Sequence, residues 1–173
     1  MASQPIPTIL EATVFDYIIG LPMHPLVIHA VVVLVPLSAL VAIAFAVRPT
    51  WRHVLRWPVA IGGVVSGVLA FVAAESGEEL QRRVSQARAS TTDFDLLAEH
   101  VEWGDRAKLL CLVFMVLCLA SAWFLRAPDD DEPRRRTLEI PLAILLVVSS
   151  LSALITVGLA GHAGARVTWT GLG

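Results

Sequence analysis

The sequence predicts an all-α integral membrane protein, a bundle of four transmembrane helices with both termini on the outer side. Of its 173 residues, 56% are hydrophobic and only 16% are charged, whereas soluble domains are about 45–50% apolar and about 25% charged. A chain this short cannot bury such an excess in one soluble core. The formal net charge of −2 gives no basis for nucleic-acid binding.

Four uncharged apolar runs predict the helices. They are Leu26–Val47, Trp57–Ala74, Leu109–Leu125 and Ile140–Ala160. Each run has a length within the range of about 17–25 residues that a membrane-crossing helix needs. The first run is longer than the apolar region of a signal peptide, and no Lys or Arg precedes it, so we expect it to be retained. The chain then divides into an interfacial segment, residues 1–23, and a four-helix transmembrane domain in the lipid bilayer, residues 24–173.

The distribution of arginines predicts the orientation. The two short loops, which follow the first and the third helix, carry Arg48, Arg52, Arg56, Arg126, Arg134, Arg135 and Arg136. Short loops rich in Lys and Arg lie on the cytoplasmic side of the membrane. Both termini and the long connection at 75–108 are therefore expected outside.

Small residues predict where helices touch. Gly63 and Gly67 lie four residues apart on the second helix, and such pairs let two backbones approach closely in lipid. The fourth helix has a similar row of small residues, Ser149, Ala153, Thr156 and Ala160. Cys111 and Cys118 are about 10.5 Å apart along one helix, too far for a disulfide, and we expect both to be buried as small apolar residues.

Histidines are concentrated at one predicted membrane face. The chain has five, and His53 lies in an arginine-rich loop. The other four share the outer face with a carboxylate that ends the second apolar run: His24, His29, Glu75, His100 and His162. Ionisable groups at membrane depth usually face the bundle interior and are candidates for a functional site. A neutral imidazole can also simply bond to a carbonyl oxygen, which would be a structural role.

The spacing of the first two histidines predicts that their side chains point to different sides of the helix. His24 and His29 are five residues apart, or about 140° around a helix, so they cannot share one centre if both are helical. We predict that His29 and His100 approach each other across the outer half of the bundle. Glu75 or His162 would support them or add ligands, and His24 either joins from the helix start or faces the interface.

Three segments carry a resemblance to a known family. Leu21 to His29 reads LPMHPLVIH and places an HPxxxH pattern at the start of the first helix. His100 follows Ala98 and Glu99, and the last helix ends in the glycine-rich stretch 161–167, GHAGARV. In these features residues 20–170 resemble the bacterial membrane protein family of domain of unknown function 2231. The resemblance implies four membrane helices in the bacterial inner membrane.

Three kinds of function remain open from the residues. The first is an electron-carrying membrane protein that holds haem b between facing helices, with His29 and His100 as axial ligands. No CxxCH pattern for covalent haem attachment is present. The second is a metal-handling protein with a Zn or Cu site built from His24, His29, Glu75, His100 and His162. The third is a non-catalytic accessory subunit without a cofactor.

The sequence contains no signature of a known enzyme reaction. It has no phosphate-binding loop, dehydrogenase fingerprint or arrangement of nucleophile and base. The residues therefore favour a protein without catalytic activity of its own but leave that question open. Its expected partners, besides lipid, are a redox protein or a second copy of the chain.

Overall fold

The computed structural model describes residues 17–18, 21–86, 94–125 and 133–169. These residues form four long helices: α1 (Met23–Val47), α2 (Arg52–Gln86), α3 (Phe94–Phe124) and α4 (Pro133–Trp169). A short 3₁₀ turn, Pro49–Trp51, joins α1 to α2, and the strands β1 (Tyr17–Ile18) and β2 (Leu21–Pro22) pair antiparallel just before α1. The rest of the expected interfacial segment lies outside the described residues.

Four segments, one along each of these helices, are long and apolar enough to cross a membrane. The segments are Met23–Val47, Pro49–Arg82, Phe94–Phe124 and Leu138–Trp169. Large apolar side chains such as Val33 and Leu40 are about 60% exposed on the outside of the bundle. Such an apolar outer surface is suited to contact with lipid. The predicted four-helix architecture is confirmed, and the side of the membrane on which each end lies stays a prediction.

The helices form a closed ring of neighbours. Consecutive helices pack side by side, and α4 closes the ring by packing against α1. As a result, α1 and α3 stand at diagonal corners of the bundle. Side chains that meet at its centre can therefore come from helices that are not packed against each other.

Close packing of α2 against α3 confirms the predicted role of the small residues. A Cβ atom built on Gly63 would lie 2.4 Å from Cβ of Cys118, and one on Gly67 would lie 2.7 Å from Sδ of Met115. Cys111 and Cys118 are buried free thiols, as expected. On α4, Ser149, Ala153 and Thr156 are buried in the same way.

The antiparallel helices give the bundle two different ends. The arginine end contains Arg52 and Glu139, which form an ion pair of 3.1 Å between Nη1 and Oε2, although the Arg52 side chain is only 6% exposed. Nε of Arg52 also donates to the carbonyl of Phe45 at 3.4 Å. Arg52 on α2 therefore contacts both the end of α1 and the start of α4. The opposite end, here called the histidine end, contains His24 in the first turn of α1 and His100 in the second turn of α3.

Candidate functional site at the histidine end

His24 lies in the first turn of α1 and reaches across to α2. Its half-buried ring places Nδ1 2.8 Å from the carbonyl oxygen of Ala73, and the hydroxyl of Ser76 donates to that same oxygen at 3.1 Å. A carbonyl only accepts, so Nδ1 of His24 carries the proton in this bond. A Cβ atom on Gly77 would lie 2.9 Å from Cε1 of the ring, so the absence of a side chain there makes room for the imidazole.

His100 repeats this arrangement on the other two helices. It lies in α3, and its Nδ1 donates to the carbonyl oxygen of Ala160 on α4 at 3.0 Å. A Cβ atom on Gly164 would again lie 2.9 Å from Cε1 of the ring. In both halves, a histidine near the start of one helix therefore bonds to an alanine carbonyl and covers a glycine four residues later on the next helix.

The two rings meet at the centre of the bundle. Their centroids are 6.2 Å apart, with an angle of 73° between the ring planes. Within the described part of the chain, Nε2 of His24 and Nε2 of His100 have no hydrogen-bond partner. Because each Nδ1 donates a proton, each neutral ring keeps a free lone pair on Nε2, and this is the atom that can bind a metal.

The sequence predicted that His29 approaches His100. In the structure the ring beside His100 is that of His24 instead. The ring of His29 is exposed, and its Nδ1 bonds back to the carbonyl of Pro25 on its own helix. Since α1 is already helical at Met23, His24 lies on the same inward stripe as the buried Val27. His29 is turned away by about 140°.

The remaining candidates lie apart from this pair. His162 is exposed on α4, and the carboxylate of Glu75 is 3.7 Å from Nζ of Lys108. Asp105 and Glu78 also approach Lys108, at 3.5 and 3.9 Å. Over residues 21–86, 94–125 and 133–169, no group of three or more His, Cys, Asp or Glu side chains could hold a metal ion. Among the described residues, the donor set of the site is therefore two imidazoles.

The sequence alone did not identify the residues that contact the rings of His24 and His100. Ala73 and Gly77 on α2, and Ala160 and Gly164 on α4, form two Ala-x-x-x-Gly pairs near helix ends. The signal was present in the sequence as two equal spacings. It could be interpreted only after the structure showed which helix faces each histidine.

The apolar helices, with their apolar outer surface, define an integral membrane protein of four candidate spans in the described part of the chain. Residues 20–172 match the family described as Predicted membrane protein (DUF2231), and the chain belongs to that family. The resemblance found in the sequence is thereby confirmed. Neither the curated proteins nor the solved structures contain a match to this chain.

Proposed function

We propose that this protein binds haem b through Nε2 of His24 and of His100 and carries single electrons at the outer face of the bacterial inner membrane. The observation that supports the proposal is the histidine pair, whose ring centroids are 6.2 Å apart. A metal–imidazole bond is about 2.0 Å long, and a ring nitrogen lies about 1 Å from the ring centre. His24 and His100 would therefore hold one metal through Nε2 with ring centres about 6 Å apart.

The number of ligands favours haem over a simple metal ion. A protein zinc site uses three or four side-chain ligands, and among the residues that the structure describes only two imidazoles come together here. Haem would need only two ligands from the protein, which His24 and His100 would supply, because the porphyrin provides the other four nitrogens. Haem is also commonly held by side chains on facing helices of a bundle.

The surrounding residues prepare the two rings for this role. The carbonyls of Ala73 and Ala160 accept from Nδ1 at 2.8 and 3.0 Å, which fixes the tautomer that has a free Nε2. Because Gly77 and Gly164 have no side chain, each ring can lie against the backbone of the neighbouring helix. When bound, haem iron would supply reversible transfer of one electron.

A second candidate function is structural. The same two hydrogen bonds join α1 to α2 and α3 to α4, so the histidines could act as clamps in an accessory subunit that has no cofactor. A metal-handling protein with one copper ion on the two imidazoles is the third possibility, since imidazole suits copper. These three alternatives differ in what the purified protein contains.

The test is an absorption spectrum with haem and metal analysis of protein purified in detergent. We expect a Soret band that is lost in His24→Ala and in His100→Ala. His29→Ala and His162→Ala are the matched controls, because these rings are exposed, and both should keep the band.

Three results would contradict the proposal. A protein that shows no Soret band after incubation with haemin, but binds one copper ion per chain, would be a metal-handling protein. One that binds neither would be an accessory subunit. A band that is lost in His29→Ala and retained in His24→Ala would restore the ligand pair expected from the sequence.

A further inference from the structure

The two ends of the bundle differ in how their cationic side chains are compensated. At the histidine end, the described lysine and arginine side chains all lie within 3.5 Å of a carboxylate: Lys108 with Asp105, Arg82 with Glu79, Arg106 with Glu102, and Arg166 with Glu99. At the arginine end, Arg52 pairs with Glu139. Arg48 and Arg56, however, have no carboxylate partner within the described part of the chain. Two guanidinium groups of the arginine end are therefore available to an anion.

Each of these two guanidinium groups lies over a tryptophan ring. Cζ of Arg48 is 5.8 Å from the ring centroid of Trp51, and Cζ of Arg56 is 5.8 Å from that of Trp57. The two tryptophans are 53% and 68% exposed. A contact with an aromatic face holds a guanidinium in place without neutralising its charge. Both arginines therefore keep their N–H donors for a negatively charged group.

The positions of these residues along the chain indicate their depth in the membrane. The first candidate span ends at Val47, so Arg48 is the first residue after it, and Arg56 directly precedes the second apolar run. At the same end, Trp123 and Phe124 of α3 are each 65% exposed. Tryptophan and long cationic side chains at helix ends lie at the boundary between the hydrocarbon and the lipid headgroups. The two guanidinium groups are thus expected at the level of lipid phosphates.

The other charges at this end do not cancel the two arginines. Arg52 and Glu139 compensate each other, and the connection at 126–136 contains four arginines and four acidic residues. The first turn of α2 has no acidic residue that would complement the partial positive charge of a helix start. An excess of positive charge therefore remains on residues 48–57.

We propose that residues 48–57 form a binding surface for anionic phospholipids, with the guanidinium groups of Arg48 and Arg56 each contacting a lipid phosphate. A guanidinium can donate two parallel hydrogen bonds to one phosphate. An anionic lipid fits this surface better than a zwitterionic one, because a zwitterionic headgroup carries its own cation. The surface lies at the opposite end of the bundle from the histidine pair, and the inference does not depend on haem binding.

The test measures lipid binding by the full chain purified in an uncharged detergent. Short-chain phosphatidylglycerol is titrated, phosphatidylcholine with the same acyl chains is the reference, and native mass spectrometry counts bound lipid per chain. We expect phosphatidylglycerol to bind more tightly to the wild-type protein. Its affinity should fall about fivefold in Arg48→Gln and in Arg56→Gln, and the preference should be absent when both are changed. Replacing both arginines by lysine keeps the charge and should retain the preference.

The matched control is the double variant Arg82→Gln, Arg106→Gln, because these exposed arginines pair with glutamates at the histidine end. It should bind both lipids as the wild-type protein does. An equal loss in this control would show that the net charge of the chain attracts the lipid, and would overturn the proposal. Equal binding of the two lipids by the wild-type protein, a comparison that needs no variant, would overturn it as well. So would displacement of phosphatidylglycerol by an equal concentration of inorganic phosphate, which would indicate a site for free anions.

Discussion

The two ends of the bundle hold their helices together by different means. At the arginine end, Arg52 is buried and makes an ion pair with Glu139. At the histidine end, the contacts are half-buried hydrogen bonds from Nδ1 of His24 and of His100 to backbone carbonyls, while ion pairs such as Arg166 with Glu99 lie near the surface. One end places a guanidinium group inside, and the other places two imidazole rings there.

The two ends also differ in whether their side chains can bind a ligand. The guanidinium of Arg52 has only hydrogen-bond donors, so it can join helices but cannot bind a metal. Each imidazole uses one nitrogen to join two helices and keeps the other. The histidine end can therefore be stable and still have two free ligand atoms.

The largest expected effect concerns which side of the membrane each end occupies. Reporter fusions after Thr50 and after Asp130 should both report the cytoplasm, because the arginines of both short loops favour that side. The measurement uses a pair of reporters, one active only in the cytoplasm and one active only on the outer side of the membrane. Activity of the outside reporter at either site would reverse the assignment of the two ends.

The next largest effect is expected from Arg52→Ala. Removing one partner of a buried ion pair leaves Glu139 uncompensated and should lower the free energy of unfolding by about 3 kcal/mol. Equilibrium unfolding in detergent micelles measures this loss. Arg48→Ala is the control, since Arg48 is exposed and lies over the ring of Trp51. Equal effects of the two variants would show that the buried pair does not hold the arginine end together.

Gly77→Ala and Gly164→Ala test whether the two halves of the histidine end are equivalent. Each new methyl group would lie 2.9 Å from Cε1 of a histidine ring, and displacing the ring should lower stability by about 1–3 kcal/mol. Thermal unfolding should show similar losses for both variants. Gly161→Ala, where a Cβ meets nothing within 4 Å among the described residues, should show no loss. A large effect at only one of the two positions would mean that the halves are not equivalent.

The smallest effect is expected from Arg166→Ala. Its ion pair with Glu99 is 2.9 Å long, but both side chains are more than 40% exposed, and such pairs contribute about 0.2–1 kcal/mol. Melting temperatures at low and high salt should differ little between this variant and wild type. A loss as large as that of Arg52→Ala would show that surface charge also holds the histidine end together.

The sequence by itself determined the four helices, because the length of an apolar run decides whether it can cross a membrane. It also predicted that Gly63 and Gly67 form a packing face and that Cys118 is buried, since these features depend on residue size and local spacing. His100 and His24 were both recognised as candidates. These predictions use information that lies within a single helix.

Only the tertiary structure decided which residues meet. Whether His24 or His29 points inward depends on where α1 begins, and helix ends are the least certain feature of a sequence. That Ala73 and Gly77 receive one ring, and Ala160 and Gly164 the other, depends on which helices are neighbours. The pairing of His24 with His100 brings together side chains from α1 and α3, which stand at diagonal corners of the bundle. Local spacing fixes the direction of a side chain around its own helix axis, and only the packing of all four helices decides what lies in that direction.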